Sequence, residues 1–181
     1  LLRECAGDRL QPEADGRATI EIRVEAERAP FDLDGWDPLT RGAWAQGGDV
    51  VIQNACTAGF DVHLTIGDGI PSFRFRWRPP PRDRVAGRVL RSRFHLLARA
   101  VLVQYPALWW ASGRGRAPLH ASVCTAGATT PLLAGPGGIG KSTLLSRELS
   151  AGGRAISDNL CVGDGRTAWG LVEPLRVKGF G

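Results

Sequence analysis

Through its first eighty positions the chain alternates apolar and polar residues, and then the period changes. Ile20, Ile22 and Val24 are interleaved with Thr19, Glu21, Arg23 and Glu25, the period-two pattern of a half-buried strand. Trp44 and Val50-Val51-Ile52 flank Gly47-Gly48, which predicts a hairpin. Phe60, Val62, Leu64 and Ile66 alternate again, and Asp68-Gly69 predicts a turn into Phe73-Arg74-Phe75-Arg76-Trp77-Arg78. In that strand Phe73, Phe75 and Trp77 share one face and the three arginines the other, which reads as a half-buried strand with a solvated basic face. The expectation is a small antiparallel β-rich module over residues 1–82, of about five strands, ending at Pro79-Pro80-Pro81.

Beyond the prolines, Val85, Val89, Leu90, Phe94, Leu97 and Val101 recur at intervals of three and four, predicting one amphipathic helix that Pro106 stops. Trp109-Trp110, expected as packing residues, lead through a Gly113–Arg116 turn into a strand over Pro118–Val123. Pro131–Ala134 reads as a short buried strand and Ser142–Leu149 as a helix. Short strands follow at Arg154–Ser157, Leu160–Val162 and Thr167–Leu171. Residues 83–181 are therefore expected to form a second, α/β domain.

Between the Pro131–Ala134 strand and its helix lies Gly135-Pro136-Gly137-Gly138-Ile139-Gly140-Lys141-Ser142-Thr143, which fits G-x-x-x-x-G-K-[ST]. Glycines let successive backbone N–H groups converge on one anion without side chains in the way. Lys141 can reach the β- and γ-phosphates, Ser142 can offer its hydroxyl to Mg²⁺, and the strand–loop–helix order aims a helix N-terminus at the anion. The expected ligands are ATP and Mg²⁺, held by Gly135, Gly137, Gly138, Ile139, Gly140, Lys141, Ser142 and Thr143.

Two flanking residues narrow the reading. His120 lies fifteen positions before Gly135, and Asp158, followed by Asn159, lies seventeen after Lys141. Over residues 117–164 this layout resembles the bacterial HPr kinase/phosphorylase family and its HPr-kinase-like relatives, where a histidine strand precedes the loop and an Asp-Asp pair ends the strand after the loop's helix. The resemblance implies a P-loop kinase core of the HPr-kinase and phosphoenolpyruvate-carboxykinase type and transfer of the γ-phosphoryl group to a serine or other hydroxyl of a small protein, peptide or metabolite. Asp158 would then be the general base, His120 its orienting neighbour and Lys141 the phosphate-binding cation, with Ser142, Asp158 and Asn159 around the metal. It also implies a homo-oligomer. Asn159 departs from the family's second aspartate; an amide oxygen can still ligate Mg²⁺ but brings no charge. A P-loop ATPase working as a switch or motor, and a nucleotide-binding module without catalysis, are the alternative readings.

Composition bounds the rest. A hydrophobic content of 43% supports a packed core. No apolar run reaches the ~20 residues of a membrane helix, and the first residues do not read as a signal peptide, so the expected location is the cytoplasm, with no membrane partner. The chain has no methionine, and about forty residues follow Lys141, so it is expected to be C-terminally incomplete. Cys5, Cys56, Cys124 and Cys161 show no C-x-x-C pairing and read as reduced, small apolar residues rather than zinc ligands. The net charge of +5 arises from 21 Arg and 2 Lys against 18 acidic residues. The cluster from Arg74 to Arg93 could serve a nucleic acid or an acidic peptide, but the aromatics interleaved in its strand read as core, so nucleic acid is not the expected partner. His63 and His95 read as structural.

Overall fold

The structure, a computed structural model, describes residues 19–171 except 56, 58 and 68. Cys5, Cys56 and Asp68 lie outside the described residues. The chain divides after Pro106 into two compact units.

The first unit is built on a six-stranded sheet in the order β1-β6-β5-β4-β3-β2. Its strands are β1 (Glu21–Glu25), β2 (Asp37–Thr40), β3 (Ala43–Gln46), β4 (Asp49–Ala55), β5 (Phe60–Thr65) and β6 (Ser72–Trp77). From β2 to β6 it is an antiparallel meander, and the β3–β4 hairpin closes at Gly47-Gly48 with Gln46 opposite Asp49. The module is not antiparallel throughout, however: β1 joins β6 in parallel, Val24 opposite Phe75.

Alternation places Phe60, Val62, Leu64, Phe73 and Phe75 on one face, all buried, with Val62 opposite Phe75 and Leu64 opposite Phe73. The other face is not solvated as the pattern predicts. Segment 27–31 folds over it, and Arg76, only 8% exposed, stacks on Phe31 with its guanidinium carbon 4.2 Å from the ring centroid. Arg76 also pairs with Glu25 (2.6 Å) and Glu27 (2.7 Å) and donates to the carbonyls of Ala29 and Pro30. Arg74 pairs with Glu25 at 2.8 Å, and Arg78 with the buried Asp61. Arginine suits this face because its planar, weakly hydrated fork can be buried once its donors are matched. On the same face His63 meets the Asp49 carboxylate at 2.7 Å and packs edge-on against Phe31 and Trp36.

Burial alone would raise the Glu25 carboxyl, but its hydrogen bonds and charge contacts with Arg76 and Arg74 outweigh this and hold it below the ordinary carboxylate range. A group depressed by folding adds stability that is complete above its unfolded value and is lost as pH falls through its folded one. The first unit should therefore weaken on acidification below about pH 4. Glu25→Gln should cost about 2 kcal/mol at neutral pH and flatten that acid limb. Thermal melts of both proteins from pH 7 to pH 3 check this; parallel curves would contradict it.

Two helices follow the sheet, α1 (Pro81–Val89) and α2 (Arg91–Arg99), where the sequence predicts one. Phe94 of α2 packs on Trp77 with ring centroids 5.1 Å apart. Pro106 does not stop the helical run. A π-helical turn over Ala100–Gln104 precedes α3 (Tyr105–Ser112), and Pro106 sits in α3's first turn. Proline lacks the N–H of a regular turn and its ring crowds the carbonyl four residues back; a widened turn just before it relieves both.

The second unit begins within α3 and contains, among the described residues, two three-stranded sheets and one further helix. One sheet has the order β10-β8-β9, from β8 (Ala121–Cys124), β9 (Leu132–Ala134) and β10 (Ala155–Ser157). The other has the order β12-β11-β7, from β7 (Ala117–Leu119), β11 (Cys161–Gly163) and β12 (Ala168–Gly170). All pairings are antiparallel. Helix α4 (Lys141–Ser150) buries Leu145 completely, and a core of Ala121, Val123 and Cys161 is closed by Leu119, Ile156 and Ala168. Strand β9 is not buried as predicted: it is the sheet edge, and Leu132 is 42% exposed. Among the described residues no helix is long and apolar enough to cross a membrane.

Candidate functional site

Topology brings the sequence-selected residues of the second unit to one end of a sheet. Strands β9 and β10 both run antiparallel to β8, which lies between them, so they point the same way. The Gly135–Thr143 loop leaves the C-terminal end of β9, and Asp158-Asn159 leaves the C-terminal end of β10. His120 immediately precedes β8, so it belongs to that same end.

A second feature tightens this grouping. The chains 117–124 and 155–163 run antiparallel past each other, pairing on either side of a break. Leu119 lies opposite Cys161 in one sheet, and Val123 lies opposite Ser157 in the other. Between these pairs lie His120, Ala121 and Ser122 on one chain and Asp158, Asn159 and Leu160 on the other. Two hydroxyls hold the break open: Ser122 donates to the Asp158 carbonyl at 2.5 Å, and Ser157 donates to the Leu160 carbonyl at 2.7 Å. Both serines are buried, so these bonds are made away from water, where losing one leaves an unmatched polar group. The sequence predicts one strand over 118–123 and names neither serine; their only signal is a hydroxyl inside an otherwise apolar strand.

The carboxylate that this break presents is Asp158, 6% exposed, beside a half-buried Asn159 and an exposed His120. Gly135, Gly138 and Gly140 take φ values of +153°, +83° and +100°, a region open to glycine and costly for other residues. Gly140 is the residue before α4, and no acidic side chain occupies the helix's first turn, so its N–H groups and partial positive charge meet no local anion. Gly137, Gly138 and Gly140 border open space where a side chain would project. Ile139 is exposed. Lys141 folds back along the loop, donating to the carbonyls of Gly135 (2.7 Å) and Pro136 (3.1 Å). Ser142 and Thr143 occupy the first turn of α4.

No family model, curated protein or solved structure matches this chain. The geometry must therefore carry the chemistry. Among the described residues no group of three His, Cys, Asp or Glu side chains could hold a metal ion. The oxygen donors available are instead a hydroxyl in the first turn of α4 (Ser142) and, after β10, a carboxylate (Asp158) and an amide oxygen (Asn159). All are hard oxygen donors, a set that fits Mg²⁺, which is commonly bound through one or two carboxylates with substrate phosphates and water completing its shell.

Burial, and for Cys124 the charge of Glu148, pushes the thiols of Cys124 and Cys161 up, keeping both protonated and unreactive. Trp110 is stacked by Arg114 at 4.0 Å, and Arg116 stacks on Trp169 at 3.9 Å; these rings serve packing.

Proposed function

We propose that the chain is an ATP-dependent kinase that transfers the γ-phosphoryl group to a serine or other hydroxyl of a protein, peptide or metabolite. The observation that supports the reading is the shared sheet end, with a glycine-shaped loop entering a helix N-terminus after β9 and a buried carboxylate after β10. In this reading the loop amides and the Lys141 ammonium bind the β- and γ-phosphates; Lys141 exchanges its two carbonyl partners for phosphate oxygens. Mg²⁺, when bound by Ser142 and Asp158 with Asn159, would neutralise phosphate charge. Asp158 takes the proton of the acceptor hydroxyl as its oxygen bonds to the γ-phosphorus, while the bond to the β–γ bridging oxygen breaks and ADP leaves. His120, at the other side of the break, orients the carboxylate.

Incubation with γ-labelled ATP, Mg²⁺ and a serine-containing peptide library tests the reaction. Label in phosphoserine is expected; label only in inorganic phosphate would favour an ATPase switch. Lys141→Ala should weaken ATP at least about tenfold, or about 1.4 kcal/mol, and ADP less. Equal affinities in wild type and variant would remove the loop from the phosphate site.

A further inference from the structure

The positive charge of the chain is concentrated where its exposed aliphatic surface lies. Residues 81–99 hold six arginines against the single acid Asp83, a surplus equal to the chain's entire net charge of +5. On the same two helices and at Leu90 between them, Val85, Val89, Leu90, Leu96 and Leu97 are all exposed, Val89 by 75%. Between α2 and the end of β6 opens a cleft of about 240 Å³, walled by Trp77, Pro79, Leu90, Phe94 and Leu97, with Arg93 and Asp83 in its polar lining. Among the described residues no carboxylate pairs with Arg91, Arg93 or Arg99, whereas Arg74, Arg76 and Arg78 are all in ion pairs. The basic groups of the sheet are thus consumed internally, whereas Arg91 and Arg93 of α2 are exposed.

We infer that this surface docks an acidic segment of a protein or peptide substrate. One branched or aromatic side chain seats among Trp77, Leu90, Phe94 and Leu97, and its flanking carboxylates pair with the arginines of α2. The cleft volume fits an anchoring side chain rather than a whole small-molecule ligand, whose sites run to roughly 300–1,000 Å³. Aliphatic rims of this kind receive amphipathic peptides. Single-stranded nucleic acid is held largely by stacking on open aromatic faces, whereas Trp77 is engaged by Phe94 and Phe60 and its indole nitrogen is buried. The inference rests on the kinase reading only for the partner being the phosphoryl acceptor.

Fluorescence anisotropy of the full chain tests it, with a labelled acidic probe of roughly sixteen residues carrying leucines at helical spacing between glutamates. Controls are the same probe with lysines for glutamates and a single-stranded oligothymidylate. The expected result is micromolar, salt-sensitive binding of the acidic probe and at least about tenfold weaker binding of the basic one. Leu97→Asp and Arg93→Glu, both at exposed positions, should each weaken the acidic probe about tenfold while leaving ATP affinity unchanged. Absence of binding, or binding indifferent to both substitutions, overturns the proposal. So does oligothymidylate binding more tightly than the peptide and depending on the same residues. A dimer abolished by Leu97→Asp would assign the face to a second copy. A lowered melting temperature in Leu97→Asp without probe binding would make it an internal packing surface. Probe binding without phosphoryl transfer in the labelled-ATP experiment would leave the docking surface standing and remove the kinase reading.

Discussion

Asp158→Asn should leave ATP affinity in the absence of Mg²⁺ within about threefold and lower phosphoryl transfer by about 10²–10⁴-fold. The substitution preserves shape and an oxygen acceptor, and Ser122 holds this residue through its backbone carbonyl rather than its side chain, so the break between the two sheets should persist. What the amide cannot do is take a proton. Isothermal titration and single-turnover transfer, run on the same preparation, separate the two effects. Loss of binding in step with transfer would make Asp158 a binding or folding residue and end its assignment as base. A Ser122→Ala variant offers a graded comparison, because it disturbs the placement of the carboxylate without removing it.

Gly170→Ala should be among the most damaging single-methyl changes in the second unit. A Cβ at this position would lie 2.1 Å from the Ile156 carbonyl oxygen and 2.9 Å from its carbon. The obstacle is backbone, which cannot swing aside like a side-chain end. Gly170 belongs to β12 and Ile156 to β10, so this close approach joins the two sheets that flank Asp158. Separating them strains the pairing of β11 with β12 and the Ser157 bond across the break. Overpacking of this kind costs about 1–3 kcal/mol or more. The expected result is a lowered melting temperature together with weakened nucleotide binding; a variant as stable as wild type would mean that the sheets can part without consequence.

Strands with a clean alternation were legible from the chain, because period two fixes which side chains are buried whatever the partner strand. The predicted Phe73, Phe75 and Trp77 face is the apolar face of β6, and the Gly47-Gly48 hairpin lies between β3 and β4. Partners distant in sequence were not legible. The parallel pairing of β1 with β6 and the burial of Arg76 depend on Glu25 and Phe31 arriving from about fifty residues away, and no local pattern encodes that. The helical segment shows the limit of periodicity: spacing marked Val85 to Val101 as one apolar stripe, yet the helix breaks at Leu90 and several of these residues face outward. Pro106 illustrates a rule overridden by a π turn.

For the candidate site, the loop and its helix were readable because glycine spacing and a Lys-Ser pair impose local geometry. The nearness of His120 to Asp158 was implied only by the resemblance to HPr-kinase-like proteins. The arrangement that gathers them, two antiparallel chains that switch sheets at the same point, depends on Ser122 and Ser157, and their roles arise only once both chains are in place.

The most direct measurement is calorimetric titration of the folded chain with a non-hydrolysable ATP analogue, with and without Mg²⁺. The account requires micromolar binding that strengthens with Mg²⁺ and is lost in Lys141→Ala. A folded chain that binds no analogue under either condition would contradict it.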